Sequence, residues 1–292
     1  MNALDGTSLD LGCHLNVVVG DLAELRPEAL ASLAASGYRR VILPPVDPES
    51  FDVGAMRAML ADAGLAAITL ATQGPGANVA SDDAAEREAG EEALRAMADL
   101  TVALGSDQMN GVPYGLFGPA GGPVSAEAFE RSALAVGRIA DYAHERGVTM
   151  TFEVLNRYET AVVNTAAQAM AYAEASGSPH LRIHLDTFHM AIEEADTAEA
   201  IRTALPRLGY LELGQSGRGP LATGAVDVAG VVRAAIEAGY TGRFGVEAFS
   251  RSELTDQTAD MLAIWRSPFD SGLALAEDAA RLIAGAWAAA VR

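Results

Sequence analysis

The sequence predicts an α/β protein, a (β/α)8 TIM barrel built as one domain over residues 1–292. Three observations predict it. Strand-like and helix-like segments alternate from end to end, the pattern of a parallel sheet with crossover helices. Eight such β-then-α units can be counted, and eight favour closure into a barrel over an open sheet. In the second half Glu153, Asp186, Glu212 and Glu247 each end a short apolar run, at intervals of 33, 26 and 35 residues, roughly one strand-plus-helix unit apiece. No low-complexity linker divides the chain.

The elements follow in order. Residues 9–19 read as the first strand and 27–36 as the first helix, opened by Pro27 and stopped by Gly37. Residues 39–43 and 65–72 are the next two strands, separated by a helix over 53–63 that ends at Gly64. An alanine-rich helix over 83–104 stops at Gly105, and a strand over 108–112 leads into a Gly/Pro-rich loop over 113–123. Ser125 caps a helix over 126–146, with Glu127 in its first turn. The remaining units are strand 149–154 with helix 165–176, strand 181–185 with a helix around 197–204, and strand 209–213 with helix 227–238. Strand 244–249 precedes a long C-terminal stretch, whose residues 250–268 read as a pocket wall or subunit contact. Segments 73–81 and 113–123 are long βα loops, which in a barrel belong to the face that carries the site.

Composition narrows the function classes. Half of the residues are hydrophobic and 20% charged, as in a water-soluble globular chain. The formal charge of −19 repels phosphate backbones and anionic membranes, so nucleic acid and membrane partners are not expected and a neutral small molecule is. Residues 1–10 lack the basic start of a secretory signal, and no apolar stretch reaches the roughly 18–20 residues of a membrane span. Cys13 is the single cysteine, which rules out an intramolecular disulfide and a thiolate metal cluster. A cytoplasmic location is expected.

Strand parity gathers the acidic residues. Side chains alternate between faces, so Thr151 and Glu153 oppose Phe152 and Val154, and His184 and Asp186 oppose Ile183 and Leu185. In the same way Tyr210 and Glu212 oppose Leu211 and Leu213, and Gly245 and Glu247 oppose Phe244 and Val246. The apolar set packs on outer helices, and four carboxylates converge at the ends of strands five to eight. An isolated buried carboxylate costs several kcal/mol unless it is neutralised. Four together imply a shared partner, and a divalent cation is the simplest. His184 reads as a packed histidine one layer below, Cys13 as core and His14 as a pocket-floor residue. Tyr114, Phe117 and Trp265 are candidates to line or cover the mouth.

The motifs resemble the xylose-isomerase-like TIM-barrel superfamily and, within it, the ketose 3-epimerases of the D-tagatose and D-allulose type. Glu153-Val-Leu-Asn-Arg-Tyr-Glu159 is similar to a segment that carries one metal-binding and one substrate-contacting glutamate. Leu185-Asp186-Thr-Phe-His189-Met-Ala-Ile-Glu-Glu194 is the most specific match, and Phe244-Gly-Val-Glu247-Ala-Phe249 resembles the last metal-binding strand. Gly214-Gln-Ser-Gly-Arg218-Gly-Pro220 resembles the segment that ends in a substrate-binding arginine. Residues 78–82 and 264–266 extend the likeness over nearly the whole chain.

The resemblance implies a metal-dependent epimerase that acts on a free ketose or related keto-sugar at C3, through an enediolate. Glu153 and Glu247 would be the acid/base pair, and Glu159, His189 and Arg218 would bind substrate. Glu153, Asp186, Glu212 and Glu247 would hold one divalent cation, Mn²⁺ first, with Mg²⁺ or Co²⁺ as alternatives. A homo-oligomer, dimer or tetramer, is also implied. Glu212 departs from the pattern: six residues before Arg218 the family has a histidine. Glutamate also ligates hard cations, through oxygen. Gln215 and Gly217 likewise stand where Glu and Asn are usual. These departures keep open a lyase or dehydratase or an aldose–ketose isomerase at the same metal site, and a non-catalytic sugar-binding protein. An apurinic endonuclease shares the barrel, but the charge and the lack of a histidine-rich multi-metal cluster argue against it.

Overall fold

A computed structural model describes residues 9–291, and its eight strands close into a parallel barrel in sequence order. The strands are β1 (Leu11–His14), β2 (Arg40–Ile42), β3 (Ala66–Gln73), β4 (Gln108–Leu116), β5 (Thr149–Val154), β6 (Arg182–Asp186), β7 (Leu208–Gly214) and β8 (Arg243–Glu247). Pairing of Gly12 with Gly245 and of Cys13 with Val246 joins the first strand to the last. Between them run α1 (Pro27–Ala35), α2 (Val53–Ala63), α3 (Ala84–Ala103), α4 (Ala126–Glu145), α5 (Ala166–Ala175), α6 (Thr187–Glu193), α7 (Thr197–Ala204) and α8 (Val228–Glu237). Two more, α9 (Asp256–Met261) and α10 (Gly272–Ala290), follow β8. Among the described residues no helix is long and apolar enough to cross a membrane.

Local chemistry sets the helix ends. Asp52, Asp83, Ser125, Asp196, Asp227 and Ser271 each accept a backbone N–H of the following turn, and Thr165 and Gln168 form a reciprocal capping box. Gly64 ends α2 at φ 68°, a left-handed conformation that favours glycine.

Three elements differ from the sequence reading. The first strand stops at His14 and turns into a short 3-10 segment (Leu15–Val17), because its partner β2 offers only Arg40–Ile42 to pair with. The expected loop from residue 113 begins later, since β4 continues to Leu116. Pro113 is tolerated there because the register jumps from Thr72↔Val112 to Gln73↔Leu116, leaving Pro113 without a ladder partner. The third difference is α6, which follows β6 with no loop. Asp186 caps it by accepting from the Phe188 N–H at 2.8 Å.

Phe152, Leu185, Leu211 and Val246 belong to the main core, on the strand face that packs under the helices. The barrel interior holds a separate small cluster of Ile42, Ile68 and Tyr210. At the opposite end from the carboxylates, two arginines and two aspartates form a closed ring. Arg40 Nε donates to both Asp10 oxygens at 2.9 and 3.0 Å and its Nη1 to Asp107 at 2.7 Å. Arg243 Nε donates to Asp10 at 3.0 Å and its Nη2 to Asp107 at 2.6 Å.

Candidate active site

The predicted carboxylates stand where strand parity places them, at the C-terminal ends of β5 to β8. Asp186 is level with Glu212, Glu212 with Gly245, and Gly214 with Glu247. Asp186, Glu212 and Glu247 are buried, and Glu153 is half-buried. Their donor atoms do not form one four-membered group. Among the described residues they fall into three overlapping sets with ligand atoms within 4.8 Å of one another: Glu153 with Asp186 and His189, Glu153 with His184 and Glu212, and Glu212 with His14 and Glu247.

Asp186 divides its oxygens between structure and site. Oδ1 caps α6, while Oδ2 lies 3.2 Å from Arg218 Nη1 and 3.5 Å from His189 Nε2. The same Nη1 contacts Glu247, so one guanidinium bridges two of the acids. Arg218 reaches them from a left-handed backbone conformation (φ 55°), uncommon for a side chain of this size, with its guanidinium 3.5 Å above the Phe188 ring. Glu153 is held through its own backbone, whose carbonyl accepts from the Tyr114 hydroxyl at 2.8 Å; its Oε1 lies 3.4 Å from His189 Nε2.

His189 has a defined tautomer. The Asn156 backbone N–H donates to its Nδ1 at 3.1 Å, so the ring proton sits on Nε2 and faces Glu153 and Asp186. Asn156 Nδ2 also donates to Glu159 at 3.0 Å, which brings Glu159 to the same edge of the mouth, its Oε2 4.0 Å from His189 Nε2.

Glu212, like Asp186, is fully enclosed. Its Oε2 lies 3.1 Å from His14 Nε2 in a hydrogen bond. His184 Nε2 is also 3.1 Å away, but so poorly aligned that neither of that ring's nitrogens has a hydrogen-bond partner. Glu212 Oε1 has none either. The sequence reading placed Glu212 in the mouth but did not foresee its two imidazole neighbours. His14 lies 198 positions from Glu212 along the chain, and only closure of the barrel brings the two together.

Electrostatics follow from this crowding. Burial raises Glu153 to about 8, helped by Glu247, Asp186 and Glu212 and opposed by His184. Burial likewise raises Asp186, although His189 and Arg218 oppose it. For Glu212 burial is outweighed by His14 and His184, which hold it below the usual carboxylate range. Burial alone would lower His14, but Glu212 and Glu247 carry it up to about 9. Burial pushes His189 down to about 4.

The donor set fits a divalent cation. It offers several carboxylate oxygens and buried imidazole nitrogens within reach of one another, and one oxygen, Glu212 Oε1, is buried without a hydrogen-bond partner.

Other motif residues hold loops. Gln215 Nε2 donates to the Leu221 and Val226 carbonyls, each at 3.1 Å, which a glutamate could not do, so the departure from Glu stitches the loop after β7. Glu193 is bonded to the Arg157 backbone and side chain, and Glu194 accepts from the Ala166 N–H at the start of α5. Tyr114 is buried, Phe117 half-buried and Trp265 66% exposed.

Residues 30–267 match the profile of a family described as Xylose isomerase-like TIM barrel. A ketose 3-epimerase of Arthrobacter globiformis is 39% identical over 260 residues, covering 89% of this chain and 90% of its own. An L-ribulose 3-epimerase of Mesorhizobium japonicum is 34% identical over 275 residues, covering 94% and 92%. Among solved structures, a D-allulose 3-epimerase from Methylomonas sp. in complex with D-allulose superposes with a TM-score of 0.89 at 34% identity, over 95% of this chain and 96% of that one.

Proposed function

We infer the activity from one premise: the chain belongs to the xylose isomerase-like TIM-barrel family, and within it is an isomerase of the ketose 3-epimerase kind. The reaction proposed is the divalent-metal-dependent inversion of a free ketose, or a related keto-sugar, at C3. D-Allulose, present in the complex of the Methylomonas protein, is one such ketose.

The observation that carries this reading is the pair of glutamates at the ends of β5 and β8, which have different surroundings. Glu153 Oε1 lies 3.4 Å from His189 Nε2, whereas Glu247 is held against the Arg218 guanidinium. Two carboxylates on different sides of one mouth suit a pair in which one member removes a proton while the other returns one. Inversion at C3 requires the proton alpha to the carbonyl to leave on one face and a proton to return on the other. Glu153 and Glu247, rising from strands on different sides of the mouth, are proposed to do this. Glu159, His189 and Arg218 would hold the hydroxyls around C1 and C2, with His189 donating from Nε2, and so fix the orientation that proton transfer needs. When bound, a divalent cation supplies Lewis acidity toward a carbonyl oxygen. Glu153, Asp186 and Glu247, with Glu212 behind them, are the residues proposed to hold it. Mn²⁺ is the first candidate and Mg²⁺ or Co²⁺ the alternatives, since carboxylate oxygens favour hard cations.

The test is incubation with a panel of ketoses in deuterated buffer, before and after exhaustive chelation. Deuterium at C3 with the carbon skeleton retained, lost on chelation and restored by Mn²⁺, is the expected result. Exchange at C1 or C2 would indicate an aldose–ketose isomerase, and elimination products a lyase. Either would overturn the reading, as would full activity in protein shown by elemental analysis to be metal-free.

A further inference from the structure

Three imidazoles are buried in or under the mouth, and the work already assigned to each nitrogen separates them. His189 has no lone pair to spare, because Nδ1 accepts from the Asn156 backbone and Nε2 carries the proton. His184 lies edge-on to Tyr210, ring centroids 4.9 Å apart, and makes no aligned hydrogen bond. His14 is different. Its Nε2 lies 3.1 Å from Glu212 Oε2, and a carboxylate only accepts, so Nε2 keeps its N–H and Nδ1 is the nitrogen that offers a lone pair when the ring gives up its second proton to bind a cation. Nδ1 faces Glu247 Oε1 at 3.7 Å.

Resting on the reading above, we propose that His14 supplies a nitrogen donor to the bound cation through Nδ1, with Glu212 gripping the ring from behind. The imidazole expected at position 212 is thus delivered from β1 instead of β7, and Glu212 serves the ion through His14.

Four features support the assignment. His14 is the last residue of β1, the strand that pairs with β8, and is 4% exposed. Two atoms that ligate one cation at about 2.0–2.2 Å lie roughly 3–3.6 Å apart, so 3.7 Å between Nδ1 and Glu247 Oε1 needs an adjustment of only tenths of an ångström. His14, Glu212 and Glu247 form one of the three sets whose ligand atoms lie within 4.8 Å of one another. Finally, a carboxylate that receives the far N–H of a metal-binding imidazole is the usual device for fixing its tautomer and orientation. Glu212 makes that contact with one oxygen, while the other is turned toward Gly245.

The experiment is pulsed electron paramagnetic resonance on the Mn²⁺-loaded protein, together with Mn²⁺ titration. The wild-type spectrum is expected to show modulation from one directly bound ¹⁴N. His14→Gln should lose that modulation and His184→Gln keep it, while Glu212→Gln weakens Mn²⁺ binding by about 10–100-fold. Stoichiometric Mn²⁺ with no nitrogen modulation in the wild type would overturn the inference and leave an oxygen-only site. Retention in His14→Gln with loss in His184→Gln would overturn it in favour of the other ring. Failure to bind Mn²⁺ at all would overturn the metal-dependent reading itself. The wild-type spectrum decides even if a variant fails to fold.

Discussion

Gly245→Ala tests the packing beneath the carboxylates. An added methyl would lie under 3.0 Å from Glu212 Oε1 and from the Tyr210 hydroxyl and Cε1. Neither side chain can retreat easily, since Tyr210 and Glu212 are both 0% exposed and Gly12, level with Gly245 across the seam, also lies against the Tyr210 hydroxyl. Overpacking of a rigid site typically costs about 1–3 kcal/mol. With an unfolding entropy near 2.1 cal/mol/K per residue, 292 residues give roughly 0.6 kcal/mol/K, so Tm should fall by about 2–5 °C. Displacing Glu212 would also break its 3.1 Å contact with His14 and weaken Mn²⁺ binding by about 10–100-fold. Calorimetry of the cation-free protein and isothermal titration with Mn²⁺ read the two effects separately. Gly285→Ala, on an exposed turn of α10 with open space around it, is the control and should raise stability by about 0.5–1 kcal/mol. If Gly245→Ala leaves both Tm and affinity unchanged, the close contact of β7 side chains with β8 is not present.

Other consequences can be measured directly. Glu153→Gln and Glu247→Gln should each lower kcat by about 10²–10⁴-fold with a much smaller change in KM; losses below about tenfold at both, with metal bound, would remove them from proton transfer. In the cation-free protein, His14 is raised from 6.5 to about 9 and Glu153 from 4.5 to about 8, so the folded chain holds protons that the unfolded chain releases. The His14 contribution is complete below its unfolded pKa and lost as pH rises through about 9, and the proton on Glu153 acts in the same direction. Tm of the cation-free protein should therefore fall between about pH 6 and pH 9, and a flat or rising profile would contradict these environments. Asp10→Asn leaves two arginines without their shared, 8% exposed carboxylate and should cost about 3–5 kcal/mol, whereas Asp107→Asn, at a half-exposed position, should cost under about 1 kcal/mol. Equal losses at the two positions, read from urea denaturation, would argue against that difference.

The barrel was legible because period and punctuation agree: Gly64 stops a helix as expected, and Ser125 caps where its residue type suggests. The inward carboxylates were legible for the same reason, since alternation along a strand fixes which face a residue takes. What the sequence hid was pairing between distant strands. Nothing local to Glu212 announces that His14, 198 residues away, will share a proton with it. Strand limits were hidden too: β1 ends where its partner ends, and β4 extends through Pro113 because an irregular register leaves that residue unpaired. Gln215 read as a departure from a family pattern, but its amide has two carbonyls to satisfy.

The ring of Asp10, Arg40, Asp107 and Arg243 bears on how the chain assembles during synthesis. Asp10 and Arg40 are made early and can pair at once, while Asp107 follows with one of its two arginines already in place. Arg243 arrives last, and it alone completes the circuit at the point where β8 meets β1. A nascent chain shorter than this residue carries an incomplete set of counter-charges and two unpaired strand edges. The clasp thus ties commitment to the folded state to emergence of the final strand. Fragments that end before Arg243 should dwell on chaperones, and adding residues 243–247 should release them.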